Sequence, residues 1–202
     1  MPFSKIFITL TSLLSVMGPV LAAPTEIINP IPEGNRIGPF QYYNLYPQEP
    51  ERSEAPVQAV HVETYGGQSI REQVVIFKGI PPGAQQCQLK WAQAPTPNQV
   101  FIAKFGSNTE PGISTRQLSG FPAEGVPLSY ASVQPFDTKD AATSPTINFE
   151  NWDTPGSSGT HNGGITDCAE TIYFKLAFKN TTANMHAYMA QDYGNGLQMY
   201  YQ

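Results

Sequence analysis

The chain has 202 residues, a formal net charge of −5 at pH 7 and only 13% charged side chains. This weakly acidic composition argues against binding to nucleic acid or to anionic lipid, because both require clustered lysine and arginine. The length suits one domain with a well-developed hydrophobic core.

The first 22 residues have the pattern of a secretory signal peptide. Lys5 provides a positive start, residues 6–21 are mostly apolar, and Val20-Leu21-Ala22 places small side chains at a cleavage site. We predict cleavage after Ala22 and export to an oxidising, extracellular compartment. An uncleaved anchor is the alternative, although a membrane span needs about 20 apolar residues and this stretch is shorter. No later segment has the pattern of a membrane span.

Residues 23–56 are rich in proline, which interrupts both helices and strand ladders, and this predicts an extended N-terminal arm. Within the arm, Phe40-Gln41-Tyr42-Tyr43-Asn44-Leu45-Tyr46 is unusually aromatic. These rings either pack on the edge of the following domain or form a strip that docks a partner or the cell wall. We favour packing.

From Val57 onward, apolar and polar residues alternate with a period of two, which is typical of half-buried strands. Turn residues such as Gly66-Gly67 and Pro81-Pro82-Gly83 separate the segments. The pattern predicts an all-β domain over 57–202, namely a β-sandwich of about eight to ten short strands. The candidate strands are 59–64, 72–78, 87–91, 99–105, 128–133, 146–150, 171–178, 186–189 and 197–201.

The chain contains two cysteines, Cys87 and Cys168, and in a secreted protein such a pair predicts one disulfide. It would join the 87–91 strand to the entry of the 171–178 strand. Closing a loop of this size removes on the order of 4.5 kcal/mol of unfolded-state entropy. Asn180-Thr181-Thr182 is an N-glycosylation acceptor, and it lies where a turn between two strands is expected.

Three blocks in the second part of the chain form a recognisable pattern. Residues 79–91 combine Ile-Pro, glycine, cysteine and an alternating strand, Cys168 precedes the 171–178 strand, and residues 191–200 read Gln-Asp-Tyr, then Gly-Leu-x-x-Tyr. Together they resemble a fungal secreted family named for the C-terminal domain of a ubiquitin-3-binding protein. The resemblance covers about 57–202 and is lost between 106 and 164. In addition, the turn from Asp192 to Leu197 lacks the proline that often follows the tyrosine in that family. It implies a secreted or wall-associated β-sandwich domain and supplies no catalytic residues.

His61, His161 and His186 lack the close His-x-x-x-His type of spacing that zinc sites use. We therefore predict no metal and no cofactor. Residues 156–164 bring serines and His161 close in sequence, but a hydrolase triad needs rigid positioning and the Gly-x-Ser-x-Gly elbow is absent. We interpret this stretch as a mobile surface loop and assign no catalytic residue.

Four acidic residues lie in or beside the same loop: Glu150, Asp153, Asp167 and Glu170. Paired carboxylates at fixed separations hydrolyse glycosides, and converging oxygen atoms bind calcium. Neither arrangement follows from spacing across an irregular loop. We interpret these side chains as solvated charges, and the 150–170 loop remains the site that an enzyme would use.

Aromatic side chains are the main indication of binding, because flat rings beside asparagine and glutamine stack on sugars and anchor protein partners. Trp91 is in phase with Cys87 and Leu89 and is predicted to lie in the core. About half of the remaining rings are expected to complete that core. The candidates are Tyr42, Tyr43, Tyr46, Trp152, Tyr188, Tyr193, Tyr200 and Tyr201, and the preferred binding set is Tyr42, Tyr43, Tyr46, Trp152 and Tyr193.

We expect a secreted, non-enzymatic fungal protein that interacts with cell-wall polysaccharide or with an extracellular protein. The first alternative is a carbohydrate-active enzyme that uses the 150–170 loop. The second is an effector-like protein that acts on a host.

Overall fold

Antiparallel strand pairing organises the chain. The structure, a computed structural model, describes residues 35–95, 98, 101–104, 112–149 and 159–202. Within these ranges there are twelve strands, one short α-helix and one 3₁₀ helix. They are β1 Arg36–Ile37, β2 Gln41–Leu45, β3 Ala59–Tyr65, β4 Gln68–Lys78, β5 Cys87–Gln93, β6 Phe101–Lys104, β7 Gly112–Gln117, α1 Tyr130–Val133, the 3₁₀ helix Gln134–Phe136, β8 Thr146–Asn148, β9 Gly159–Thr166, β10 Thr171–Phe178, β11 Met185–Ala190 and β12 Gly196–Tyr200.

The strands form two antiparallel sheets. The smaller sheet has the order β1-β12-β5-β9. The larger sheet has the order β6-β11-β3-β4-β10-β7-β8, with β2 also paired to β4, and it curls into a half-barrel. The long strand β4 makes this possible, because its first residues pair with β3 and its later residues pair with β2 and β10. The predicted all-β class is confirmed.

One hydrophobic core receives side chains from both sheets. Leu89, Trp91 and Leu197 come from the smaller sheet, and Phe77 and Phe174 come from the larger one. The alternation predicted for β5, β10 and β11 is confirmed at the start of each strand, where every second residue is buried. Trp91 is 1% exposed and contacts the Phe149 ring edge-on at 5.2 Å between centroids, so its predicted core position is confirmed.

The predicted disulfide between Cys87 and Cys168 is confirmed, with a Cα–Cα distance of 5.2 Å. Cys87 begins β5 and pairs with Thr166 at the end of β9, and Cys168 lies two residues further on, so the bond links β5 to the connection that leads from β9 to β10. Cys87 is fully buried and belongs to the core, as the alternation of β5 requires.

The sheets include residues that the sequence analysis assigned to the extended arm. β1 pairs with β12, and β2 pairs with β4 so that Tyr42 lies opposite Val75. Tyr42 is fully buried and its hydroxyl donates to Gln191 Oε1 at 2.6 Å, while Tyr46 is 6% exposed. Tyr42 therefore packs in the core, and the guanidinium of Arg52 covers the Tyr46 ring at 3.8 Å from its centroid.

Two local predictions are wrong. Residues 128–133 were expected to form a strand, but Tyr130–Val133 form α1 because Ser129 and Ser132 make a reciprocal capping box. Residues 156–164 were expected to form a loop, but Gly159–Thr166 form β9, which pairs along β5 from Cys87 to Gln93. The serine cap outweighs the local pattern in the first segment, and pairing with the distant strand β5 outweighs it in the second.

The larger sheet is also covered on its outer face. Leu118, Leu128 and Val133 pack there against Val74 and Ile76 of β4. The segment 118–137 thus lies across β4 and β10, and it encloses a polar cluster on the same face of the sheet.

Four charged side chains make up this buried cluster, and Lys175 is at its centre. Lys175 Nζ lies 2.9 Å from Glu72 Oε2 and 2.9 Å from Asp137 Oδ2. Arg116 donates to both oxygens of Asp137 at 2.7 and 2.9 Å. Burial opposes the charge of Lys175, but attraction to Glu72 and Asp137 outweighs it and raises its pKa. The cluster holds Asp137, at the end of the covering segment, against β7 and β10.

We expect Lys175→Met to cost about 3–5 kcal/mol in the free energy of unfolding, because it leaves two buried carboxylates without their shared cation. Urea unfolding at pH 7 measures this. The matched control is Lys139→Met, whose partner Asp167 has a side chain that is 86% exposed, and it should cost about 0–1 kcal/mol. Equal effects of the two substitutions would contradict a stabilising role for the cluster.

Candidate functional site

The outer face of the smaller sheet carries a polar groove. Strand alternation turns Leu89 of β5 and Leu197 and Met199 of β12 inward. The alternate positions of the two strands, such as Lys90 and Gln198, therefore face outward. The groove has a volume of ≈360 Å³. We call it the Tyr200 groove; it is lined by Asn35, Gln86, Gln88, Lys90, Ile165, Tyr200, Tyr201 and Gln202.

Tyr200 connects the two basic side chains of this face. Its hydroxyl donates to Gln198 Oε1 at 3.0 Å and accepts from Arg36 Nη1 at 3.3 Å. Arg36 Nη1 also lies 3.4 Å from Gln198 Oε1. The ammonium of Lys90 lies over the Tyr200 ring, 4.3 Å from its centroid, which is a cation–π contact. The phenol, the amide and both cations are therefore held in one arrangement.

A bulge in β9 sets the far wall of the groove. Asn162 and Ile165 are an odd number of residues apart, so a regular strand would turn them to opposite faces. The register between β5 and β9 shifts between Leu89 and Lys90, and the side chains of Asn162 and Ile165 therefore both reach solvent. Gly164 lies in this bulge with φ +109° and has no room for a Cβ beside Pro145. Asn162 Oδ1 accepts from Gln88 Nε2 at 2.9 Å and fixes that amide.

Ile165 is 74% exposed and also lines a second, smaller cavity of ≈150 Å³. Gln117 organises that cavity, since its Oε1 accepts from Thr166 Oγ1 at 2.6 Å and its Nε2 donates to the Asp167 carbonyl at 2.9 Å. Lys139 also lines it. The two cavities share Ile165 in their linings, and Asp167 lines the smaller one beside Lys139.

The preferred aromatic residues do not gather at this surface. Tyr193 is 83% exposed and lies outside the lining of the groove, and the half-buried Tyr43 donates to Gln41 Oε1 at 2.7 Å. Trp152 lies outside the described residues. Of the wider set of candidates, Tyr200 and Tyr201 line the groove. Sequence reasoning missed Gln88, Lys90 and Arg36, although the outward phase of β5 pointed to the first two.

The acidic residues of the 150–170 loop are only partly described, since Glu150 and Asp153 lie outside the described residues. Asp167 has an 86% exposed side chain, and its carboxylate pairs with Lys139 Nζ at 3.3 Å. Glu170 is exposed, and its carbonyl accepts from the amides of Gly79 and Ile80. These two side chains fit the interpretation as solvated charges.

The histidines lie in strands. His161 of β9 stacks on Trp91 at 3.9 Å between ring centroids, so it is a packing residue beside the core. His61 of β3 and His186 of β11 are neighbours at 4.8 Å, and Arg71 Nη1 approaches the His61 ring. In the described part of the chain, no group of three histidine, cysteine or acidic residues is placed to hold a metal ion.

No protein-family model matches the chain, and no curated protein matches it. Within the described ranges, no helix is long and apolar enough to cross a membrane. The geometry of the Tyr200 groove is therefore the basis for assigning a function.

His61 should make stability dependent on pH. Burial, together with the positive charge of Arg71 and the nearby His186, lowers the pKa of His61 from 6.5 to about 4. The folded protein therefore binds fewer protons than the unfolded chain between these values, so this contribution is complete above pH 6.5 and is lost as the pH falls towards 4. We expect a loss on the order of 1–3 kcal/mol.

Urea unfolding of the wild type and of His61→Gln from pH 7.5 to 4 measures this effect, because glutamine does not titrate. As the pH falls, the free energy of unfolding of the wild type should decrease relative to that of His61→Gln. A gap that stays constant with pH would contradict the lowered pKa.

Proposed function

We propose that the protein is a secreted, non-enzymatic fungal interaction protein of β-sandwich type, and that it binds extracellular or cell-wall polysaccharide in the Tyr200 groove. The observation that carries the proposal is the set of fixed amide, phenol and cationic groups on the outer face of the smaller sheet. Amides both donate and accept hydrogen bonds, so they suit the hydroxyl groups of sugars.

The rigidity of the sheet supports this proposal. Gln88, Lys90 and Tyr200 project from strands whose backbone groups are paired on both sides, in the order β1-β12-β5-β9. Binding groups on such elements are held more precisely than groups on loops, which reduces the entropy lost when a ligand binds. The groove volume also falls within the usual range of ligand sites.

Extracellular location is supported by the disulfide, which is stable in oxidising compartments. The predicted signal peptide at 1–22 and the resemblance to a secreted fungal family agree with it. The acceptor Asn180 fits as well, because it is exposed in the turn between β10 and β11. Its Oδ1 accepts from Thr182 N at 2.8 Å and from Thr182 Oγ1 at 2.7 Å.

The binding test uses the purified chain with insoluble chitin, β-glucan and mannan, and soluble sugars are assayed in the same tubes. We expect retention on at least one polymer without sugar release. Tyr200→Ala should weaken retention about tenfold or more, since it removes the group that orders Gln198, Arg36 and Lys90. Tyr193→Ala is the matched control, because that ring is exposed outside the groove, and it should leave retention unchanged.

Release of soluble sugar would contradict a non-enzymatic role and would favour the enzyme that uses the 150–170 loop. Equal effects of Tyr200→Ala and Tyr193→Ala would show that the polymer does not bind in the groove. Failure to bind any of the polymers would favour an extracellular protein as the partner.

Secretion has its own test, which is expression of the full chain in a eukaryotic secretory host. We expect the protein in the medium, beginning near Ala23, with a glycan that an endoglycosidase removes. Asn180→Gln and Thr182→Ala should each abolish the mobility shift, whereas Thr182→Ser should keep part of it because serine also completes the acceptor motif. Retention of unglycosylated protein inside the cell would contradict the proposed location.

A further inference from the structure

We infer that the Tyr200 groove prefers polysaccharides that carry carboxylate groups, such as chains of uronic acid residues. The inference rests on the proposed function, because it names the class of polysaccharide for the same groove. It follows from the sign of the charge, from the partners of the two cations, and from the side chains that line the groove.

The groove differs in charge from the rest of the chain. The whole sequence has 16 acidic against 11 basic residues. The eight residues that line the groove include Lys90 and no aspartate or glutamate side chain. Arg36 is not a lining residue, but its Nη1 lies 3.3 Å from the hydroxyl of the lining residue Tyr200, so it adds a second positive charge beside the groove. A negatively charged ligand is therefore complementary to this part of the surface.

The two cations have neutral partners. Arg36 bonds the oxygen atoms of Gln198 and Tyr200, and Lys90 lies over the Tyr200 ring. Among the ion pairs of the described residues, none includes Arg36 or Lys90. In contrast, Arg116 and Lys175 are neutralised by buried carboxylates. The charges at the groove are thus available to a ligand carboxylate, with which ammonium and guanidinium groups form their strongest hydrogen bonds.

The remaining lining favours a saccharide over an acidic peptide. Asn35, Gln86 and Gln88 offer amides to hydroxyl groups, and Ile165 is the one aliphatic side chain among the eight lining residues. Peptide interfaces depend on aromatic and aliphatic anchors that fill pockets, whereas the Tyr200 phenol is already bonded to Gln198 and Arg36. Ile165 also borders the smaller cavity, where Lys139 is paired with Asp167, so the positive charge available to a ligand is confined to the surface around Lys90 and Tyr200.

The experiment compares binding of polygalacturonate and of its fully methyl-esterified form, because the two polymers share a backbone and differ in charge. We expect at least tenfold tighter binding of the free acid at low ionic strength, and a difference that shrinks as salt is added. Lys90→Met should weaken binding of the free acid about tenfold and leave the ester unchanged. Lys90→Arg should preserve the preference, which separates loss of charge from loss of folding.

Lys179→Met is the matched control, because Lys179 is exposed beyond the end of β10, outside the groove, and its removal changes the net charge equally. It should leave the preference intact. Equal binding of acid and ester would overturn the carboxylate preference while leaving the polysaccharide proposal in place. Poly-glutamate binding as tight as polygalacturonate would overturn the saccharide class. Failure to bind these polymers, chitin, β-glucan and mannan would overturn the proposed function itself.

Discussion

The disulfide between Cys87 and Cys168 links β5 to the connection between the two sheets, at the end of the molecule where the Tyr200 groove opens. Cys87 begins β5, and the neighbouring residues Gln86 and Gln88 line the groove. Cys168 lies just beyond β9 and leads into β10 of the larger sheet. The bond thus fixes the start of β5 to the point where the chain leaves β9 for the larger sheet. Because it lowers the conformational entropy of the unfolded chain, it contributes on the order of 4.5 kcal/mol to the free energy of unfolding in the loop-entropy model.

The two sheets use their outer faces differently. In the larger sheet, β4, β7 and β10 are covered by the segment 118–137, whose apolar residues and Asp137 meet these strands, whereas His61 of β3 and Tyr188 of β11 are only half-buried. Residues 72–77 of β4 are consequently buried on both faces, as in the centre of a layered protein. The outer face of the smaller sheet instead bears amides, a phenol and cations around a cavity. The smaller sheet thus presents an outer face with a cavity, whereas the centre of the larger sheet is enclosed.

Alternation in the sequence was enough to predict the strands whose inward faces are apolar, including β5 and β10. It failed for β9, since Gly159–Thr166 has few apolar residues and is a strand because it pairs with β5 and stacks His161 on Trp91. It also failed at α1, where two serine side chains stabilise a helical turn. A local pattern does not contain the partner strand or the cap that decides such segments.

The candidate site was hidden from the sequence for a related reason. Arg36, Lys90 and Tyr200 are far apart along the chain, and they meet only because β1 and β5 flank β12. The phase of each strand predicts which side chains point outward, but it does not predict which strands are neighbours. The aromatic stretch of β2 was the more conspicuous signal, yet pairing with β4 places Tyr42 in the core.

The direction of β10 separates the groove from the turn that contains Asn180. β10 starts close to Cys168, at the end of the molecule where the groove opens, and runs to Phe178. Eight residues of strand span about 23 Å, because each residue advances the chain by about 3.3 Å. A glycan on Asn180 would therefore extend from the opposite end of the molecule. The proposed modification and the proposed binding surface are in this way compatible, since sugar on the turn leaves Lys90 and Tyr200 accessible.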